Sequence, residues 1–143
     1  MSGPIEFVDS IYLGDRGLKA IVIDGWEGRV SFRVDLLSRV RPGTNSWDFY
    51  NEGDICDGRI VLTGVRSVRF EPPGPLPNDF ITSFRAKRVE TDQTAETAIH
   101  LYVFEMTVSS IAPDGTSQEV EIQVVASGVH LEDPSRPDVE IRE

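Results

Sequence analysis

Gly28-Arg29-Val30-Ser31-Phe32-Arg33-Val34-Asp35-Leu36-Leu37-Ser38-Arg39-Val40-Arg41 is a stretch that alternates. Val30, Phe32, Val34, Leu36 and Val40 share one parity, with only Ser38 polar among them. Arg29, Ser31, Arg33, Asp35, Arg39 and Arg41 take the other, with only Leu37 apolar. Period two is the mark of a strand with one buried and one wet face. The run is long for a strand, since most have about 5–6 residues, so it is expected to bend within its sheet. Upstream, Lys19 to Asp24 reads as a second strand, and Asp24-Gly25-Trp26-Glu27-Gly28 as the hairpin loop joining the two, its glycines supplying the positive-φ positions such loops need. Further upstream, Gly14 and Gly17 bracket a turn, and Ile11 and Leu13 form a short edge strand.

Downstream, Pro42-Gly43 ends the long strand and residues 42–58 form a polar loop of a length often tied to function. Arg59–Leu62 and Val65–Glu71 are strand pieces split by Gly64, where a bulge or bend is expected. Pro72-Pro73-Gly74-Pro75-Leu76-Pro77 cannot be central strand, because proline lacks the ladder donor. Asn78 or Asp79 is placed as the cap of a helical turn carrying Phe80 and Phe84 at i,i+4. Ala98–Ile111 is a second long strand, buried on both faces in its first half. Ala112-Pro113-Asp114-Gly115-Thr116 is a hairpin turn. Val120, Ile122 and Val124 alternate with polar residues before the phase slips near Gly128. Residues 132–143 are read as an acidic tail, extended on the surface or frayed. The sum is a single mainly β domain over 1–143. Its expected form is an antiparallel sandwich or partly open barrel with one or two short helical turns, or else one large twisted sheet crossed by a helix.

Composition narrows the function classes. At 143 residues, 39% hydrophobic and 27% charged, the chain matches a globular domain able to bury its own core. A formal net charge of −10 argues against nucleic acid, whose binders need a basic footprint. No apolar run approaches a membrane span. The N-terminus does not resemble a signal peptide, and Cys56 is the only cysteine. The expected compartment is therefore the cytoplasm. One cysteine with His100 and His130 does not make a zinc site, and no metal or other cofactor is expected.

Trp47-Asp48-Phe49-Tyr50-Asn51-Glu52-Gly53-Asp54-Ile55 packs aromatics and acids together. Asp48, Glu52, Asp54 and Asp57 are the carboxylates available for acid–base work or a hard cation, although the spacing is not that of a calcium loop. Their bland role is turn and cap chemistry. No serine sits in a Gly-x-Ser-x-Gly elbow. His100 and His130 lie on strands, where histidine is more often hydrogen-bonded structure than base. Trp26 and Trp47 are each either packed over an open end of the core or presented to a partner, with Trp47, beside Phe49 and Tyr50, the more core-like.

The set Ile11-Tyr12-Leu13-Gly14-Asp15-Arg16, Ile21-Val22-Ile23-Asp24-Gly25-Trp26, Ser38-Arg39-Val40-Arg41, Trp47-Asp48-Phe49-Tyr50 and Pro77-Asn78-Asp79 resembles a family of small uncharacterised bacterial β-rich proteins. Its opening layout is loosely similar to the β-rich immunity proteins of bacterial toxin systems. Neither likeness carries over catalytic residues. The leading expectation is a non-catalytic protein-binding domain, immunity-like, that masks a basic protein partner through Trp47, Asp48, Tyr50, Glu52, Asp54 and Trp26. A hydrolase using Asp48, Glu52, Asp54 and Asp57, or a small-molecule carrier, is the alternative.

Overall fold

The computed structural model describes residues 3–13, 16–39, 55–89 and 100–142. Within them the chain is mainly β and antiparallel, with one short helix. In order the elements are α1 (Pro4–Asp9), β1 (Ile11–Tyr12), β2 (Arg16–Asp24), β3 (Arg29–Val34), β4 (Leu36–Arg39), β5 (Ile55–Cys56) and β6 (Arg59–Thr63). They continue as β7 (Ser67–Glu71), β8 (Phe80–Arg88), β9 (Tyr102–Ile111), β10 (Ser117–Ala126), β11 (Gly128–Asp133) and β12 (Arg136–Ile141). A small sheet runs β1-β4-β5, and a large one runs β12-β11-β6-β3-β2-β8-β9-β10-β7.

Two bent ribbons fold the large sheet into a sandwich. β7 pairs with β10, and β6, its continuation, pairs with β11. The ladder crosses the bend without a gap, since Ser127 donates to the Thr63 carbonyl at 3.0 Å and Arg66 to that of Val125 at 2.7 Å. Gly64 turns this corner at φ +62°, with Ser127 Oγ 2.0 Å from where a Cβ would stand. Only glycine fits there. The parity slip expected near Gly128 is this corner.

Val30, Phe32, Ile60, Leu62, Val129 and Leu131 from one side meet Phe104, Met106, Val108, Val120, Ile122 and Val124 from the other in one buried cluster. Alternation along each strand puts them there. α1 and the small sheet add Phe7, Val8, Ile11, Leu37 and Ile55 to the same cluster. Pro4 opens the helix, where its missing N–H costs nothing.

The structure corrects several sequence expectations. The long strand breaks at Asp35, which receives Asp57 N–H on its carbonyl and Gly17 N–H on its carboxylate, both at 3.0 Å. Parity inverts there: Leu37 is buried and Leu36 only half-buried. Phe80 to Phe84 belong to strand β8, not a helical turn. The expected core pair Phe80 and Phe84 does not form: Phe80 is half exposed, and a bulge between Ile81 and Ser83 places Ile81 and Phe84 on the core side instead. Asn78 caps no helix; its amide donates to Ile111 O at 3.1 Å and accepts from Ile111 N at 2.9 Å. Tyr102 is half-buried against the core rather than within it. Of the two readings of the C-terminal stretch, the extended surface one holds: Arg136–Ile141 form an exposed edge strand, β12, against β11.

Candidate functional site

The β2–β3 hairpin is built on rigid terms. Ile21 lies opposite Phe32, and Ile23 opposite Val30. At the tip, Asp24 Oδ1 accepts the Glu27 N–H at 3.0 Å, and Gly28, at φ +66°, accepts the Val65 N–H at 2.9 Å. The loop is thus tied to itself and to the neighbouring corner. Trp26 rides on this frame 95% exposed, with Val22 and Ile23 more than half exposed beside it. A turn already fixed leaves little backbone entropy to lose when the tryptophan it carries binds.

Along β2 lies an open cleft of about 710 Å³ lined by Leu18, Lys19, Ile21, Asp35, Leu76 and Asp79, among others. It opens because the β2–β8 ladder stops. Arg16 pairs with Ile81, Gly17 with Phe80, and Leu18 N–H reaches Asp79 O at 3.1 Å. The same register would next set Ala20 against Pro77, which has no N–H to offer.

The outer face of β3, β6 and β11 carries a second, charged depression of about 170 Å³, lined by Asp24, Arg29, Ser31, Arg59 and Glu132 over Val22 and Val61. Arg29 binds Glu132 at 3.1 Å. His130, 1% exposed, places Nε2 2.9 Å from the same carboxylate and 3.9 Å from that of Glu140. Arg142 also pairs with Glu140, and its hydrogen bond holds that carboxyl below its ordinary range. Arg33 pairs with Asp57 at 3.7 Å. Arg29 and Arg33 of this strand face are thus each paired with a carboxylate, while the Arg39 side chain and Arg41 lie outside the described residues. His100 is exposed and contacts Arg88.

Of the expected contact residues, Trp26 is at the surface, while Trp47, Asp48, Tyr50, Glu52 and Asp54 lie outside the described residues. Of the four carboxylates considered for hydrolysis, Asp57 is described. It is engaged by Lys19 and Arg33, and the Lys19 hydrogen bond holds its carboxyl below the usual value. Among the described residues no three His, Cys, Asp or Glu side chains converge as metal ligands. No described helix is long and apolar enough to cross a membrane.

Sequence reasoning missed Glu105. It alternates correctly onto the outer face of β9, yet its side chain is only 7% exposed, under Arg85 at 3.0 Å and Lys87 at 2.9 Å. Hydrogen bonds from Lys87 and then Arg85 hold the carboxyl below its ordinary value of 4.5. Its contribution is therefore complete above the unfolded value and is lost as pH falls through the lower folded one. Glu105→Gln is expected to cost about 1–2 kcal/mol at neutral pH. In urea titrations the gap to wild type should close below about pH 4. A gap that persists there would contradict the ionic account.

The chain belongs to a family of unknown function (DUF6258), which it matches over residues 1–143. It is also similar to a 3-phosphoshikimate 1-carboxyvinyltransferase of Halorubrum lacusprofundi, at 37% identity over 57 residues. That match spans 40% of this chain and 13% of the enzyme, so the chain covers only a small part of that relative's length. No solved structure matches.

Proposed function

We propose that this protein is a non-catalytic protein-binding domain that grips a basic partner through the β2–β3 hairpin, with Trp26 as the anchor. The observation that carries this reading is the 95% exposure of Trp26 on a turn fixed by Asp24 and Gly28. Tryptophan is the residue type most enriched among interface hot spots. Asp24 and Glu27 flank it, and the chain's net charge is −10, so complementary charge would speed the approach of a basic surface. An immunity-like role, masking a basic toxin in the bacterial cytoplasm, is the specific form of this reading and rests on charge and on the resemblance of the opening layout. The acidic segment Asp48 to Asp54, with Trp47 and Tyr50, is the second contact the sequence offers to the same partner.

The test is Trp26→Ala against a partner captured from the native cell and then purified. Dissociation should quicken about tenfold or more. The unfolding free energy should stay within about 0.5 kcal/mol, as for other surface changes. Unchanged dissociation would overturn the hairpin reading.

A further inference from the structure

The free edge of β2 extends the hairpin surface. From Ala20 to Asp24 the strand pairs with β3 on one side, with Lys19 at a bulge; on the other, its ladder to β8 covers Arg16 and Gly17 and ends with the Leu18 N–H on Asp79 O. Among the described residues no strand takes the other side of Lys19–Asp24. The stretch runs about 20 Å at roughly 3.3 Å per residue. An unpaired edge is a template for another extended chain. The prolines at 73, 75 and 77 keep the following segment from filling it, and the 710 Å³ cleft lies along its first half. Ile23 is a second sign. Its pairing with Val30 puts it on the core side, yet it is 53% exposed. The sandwich is open at that point, and a core-facing isoleucine stands uncovered.

The rim selects the occupant. Asp35 and Asp79 line the cleft, and Asp24 and Glu27 close the far end. Among the described residues lining the cleft the one cation is Lys19, which is bound to Asp57, and at the far end Arg29, opposite Asp24, is held by Glu132. Resting on the binding role proposed above, we infer that the Lys19–Asp24 edge accepts an extended segment of the protein partner by strand addition. That segment alternates apolar residues, seated over Ile21 and Ile23, with basic residues facing the four carboxylates. Main-chain hydrogen bonds supply affinity in this mode, and alternate side chains supply selectivity. A strand laid on this edge would end beside Trp26, so hairpin and edge form one continuous surface.

The probe is the capped octapeptide KVKIKVKV, titrated into the isotope-labelled protein, with EVEIEVEV as the charge-inverted control. Amide shifts should concentrate on residues 19–24 and 76–79 and saturate. The acidic peptide should produce none, and Ile23→Lys should weaken the basic peptide at least tenfold. Ile23 is exposed enough for that variant to fold, and the wild-type shift map stands on its own if it does not. Shifts centred elsewhere, or equal binding of both peptides, would overturn the inference. So would concentration-dependent shifts of the same amides without peptide, which would assign the edge to a second copy of this chain. A partner weakened by Trp26→Ala but indifferent to Ile23→Lys would leave the hairpin anchor standing and remove strand addition alone.

Discussion

Replacing Phe32 by Ala is expected to cost about 3–5 kcal/mol of stability. The ring is almost fully buried, with Ile21 opposite it on β2 and Ile60 on β6. These strands meet the second layer through the same cluster. The loss combines lost transfer energy with an unfilled cavity. Leu36→Ala is the internal comparison. On strict alternation it would cost as much, but Leu36 lies past the inversion at Asp35 and is half-buried, so it should cost clearly less. Denaturant midpoints of the two variants read the difference. Equal losses would mean that the chain does not change face at Asp35.

Gly58→Ala is expected to cost about 3 kcal/mol, the upper end of ordinary overpacking. A Cβ at Gly58 would stand 2.4 Å from Leu37 Cδ1 and 3.0 Å from Ile55 Cγ2. Both side chains are buried, and they tie the small sheet to the core. Gly58 also accepts the Val34 N–H at 2.9 Å, so its backbone is not free to retreat. Leu37→Val removes the Cδ atoms and should partly rescue the variant, giving a non-additive double-mutant cycle. Gly25→Ala is the control: nothing lies within 4 Å of its Cβ position, and its effect should be within about 0.5 kcal/mol. Additive effects of Gly58→Ala and Leu37→Val would show that the strain falls elsewhere.

What the sequence made legible was local. The first hairpin, the Pro-Asp-Gly turn and the corner at Gly64 each follow from period two and from the few residues that accept unusual φ. The errors share a cause, which is that pairing partners are not written locally. Phe80 and Phe84 look like a helical pair, yet a bulge between Ile81 and Ser83 gives the core side to Ile81 and Phe84 and leaves Phe80 exposed. Asp35 breaks its strand because Gly17 and Asp57 claim it from other elements. Glu105 looks like an ordinary exposed acid until Arg85 and Lys87 are seen to cover it. The candidate site divides the same way. Trp26 is visible as a loop tryptophan, but its exposure depends on which strands leave the hairpin bare. The prolines at 73, 75 and 77 announce a segment without ladder donors; that the edge left without a strand among the described residues is that of β2 emerges only from the register of β8.

The central claim is that the hairpin and the free edge of β2 form the partner-binding surface. Amide hydrogen exchange of the whole chain, with and without the captured partner, tests it most directly. The account predicts that slowed exchange concentrates on residues 19–27, with weaker protection at 76–79. Protection confined to other strands, with residues 19–27 exchanging as in the free protein, would contradict it.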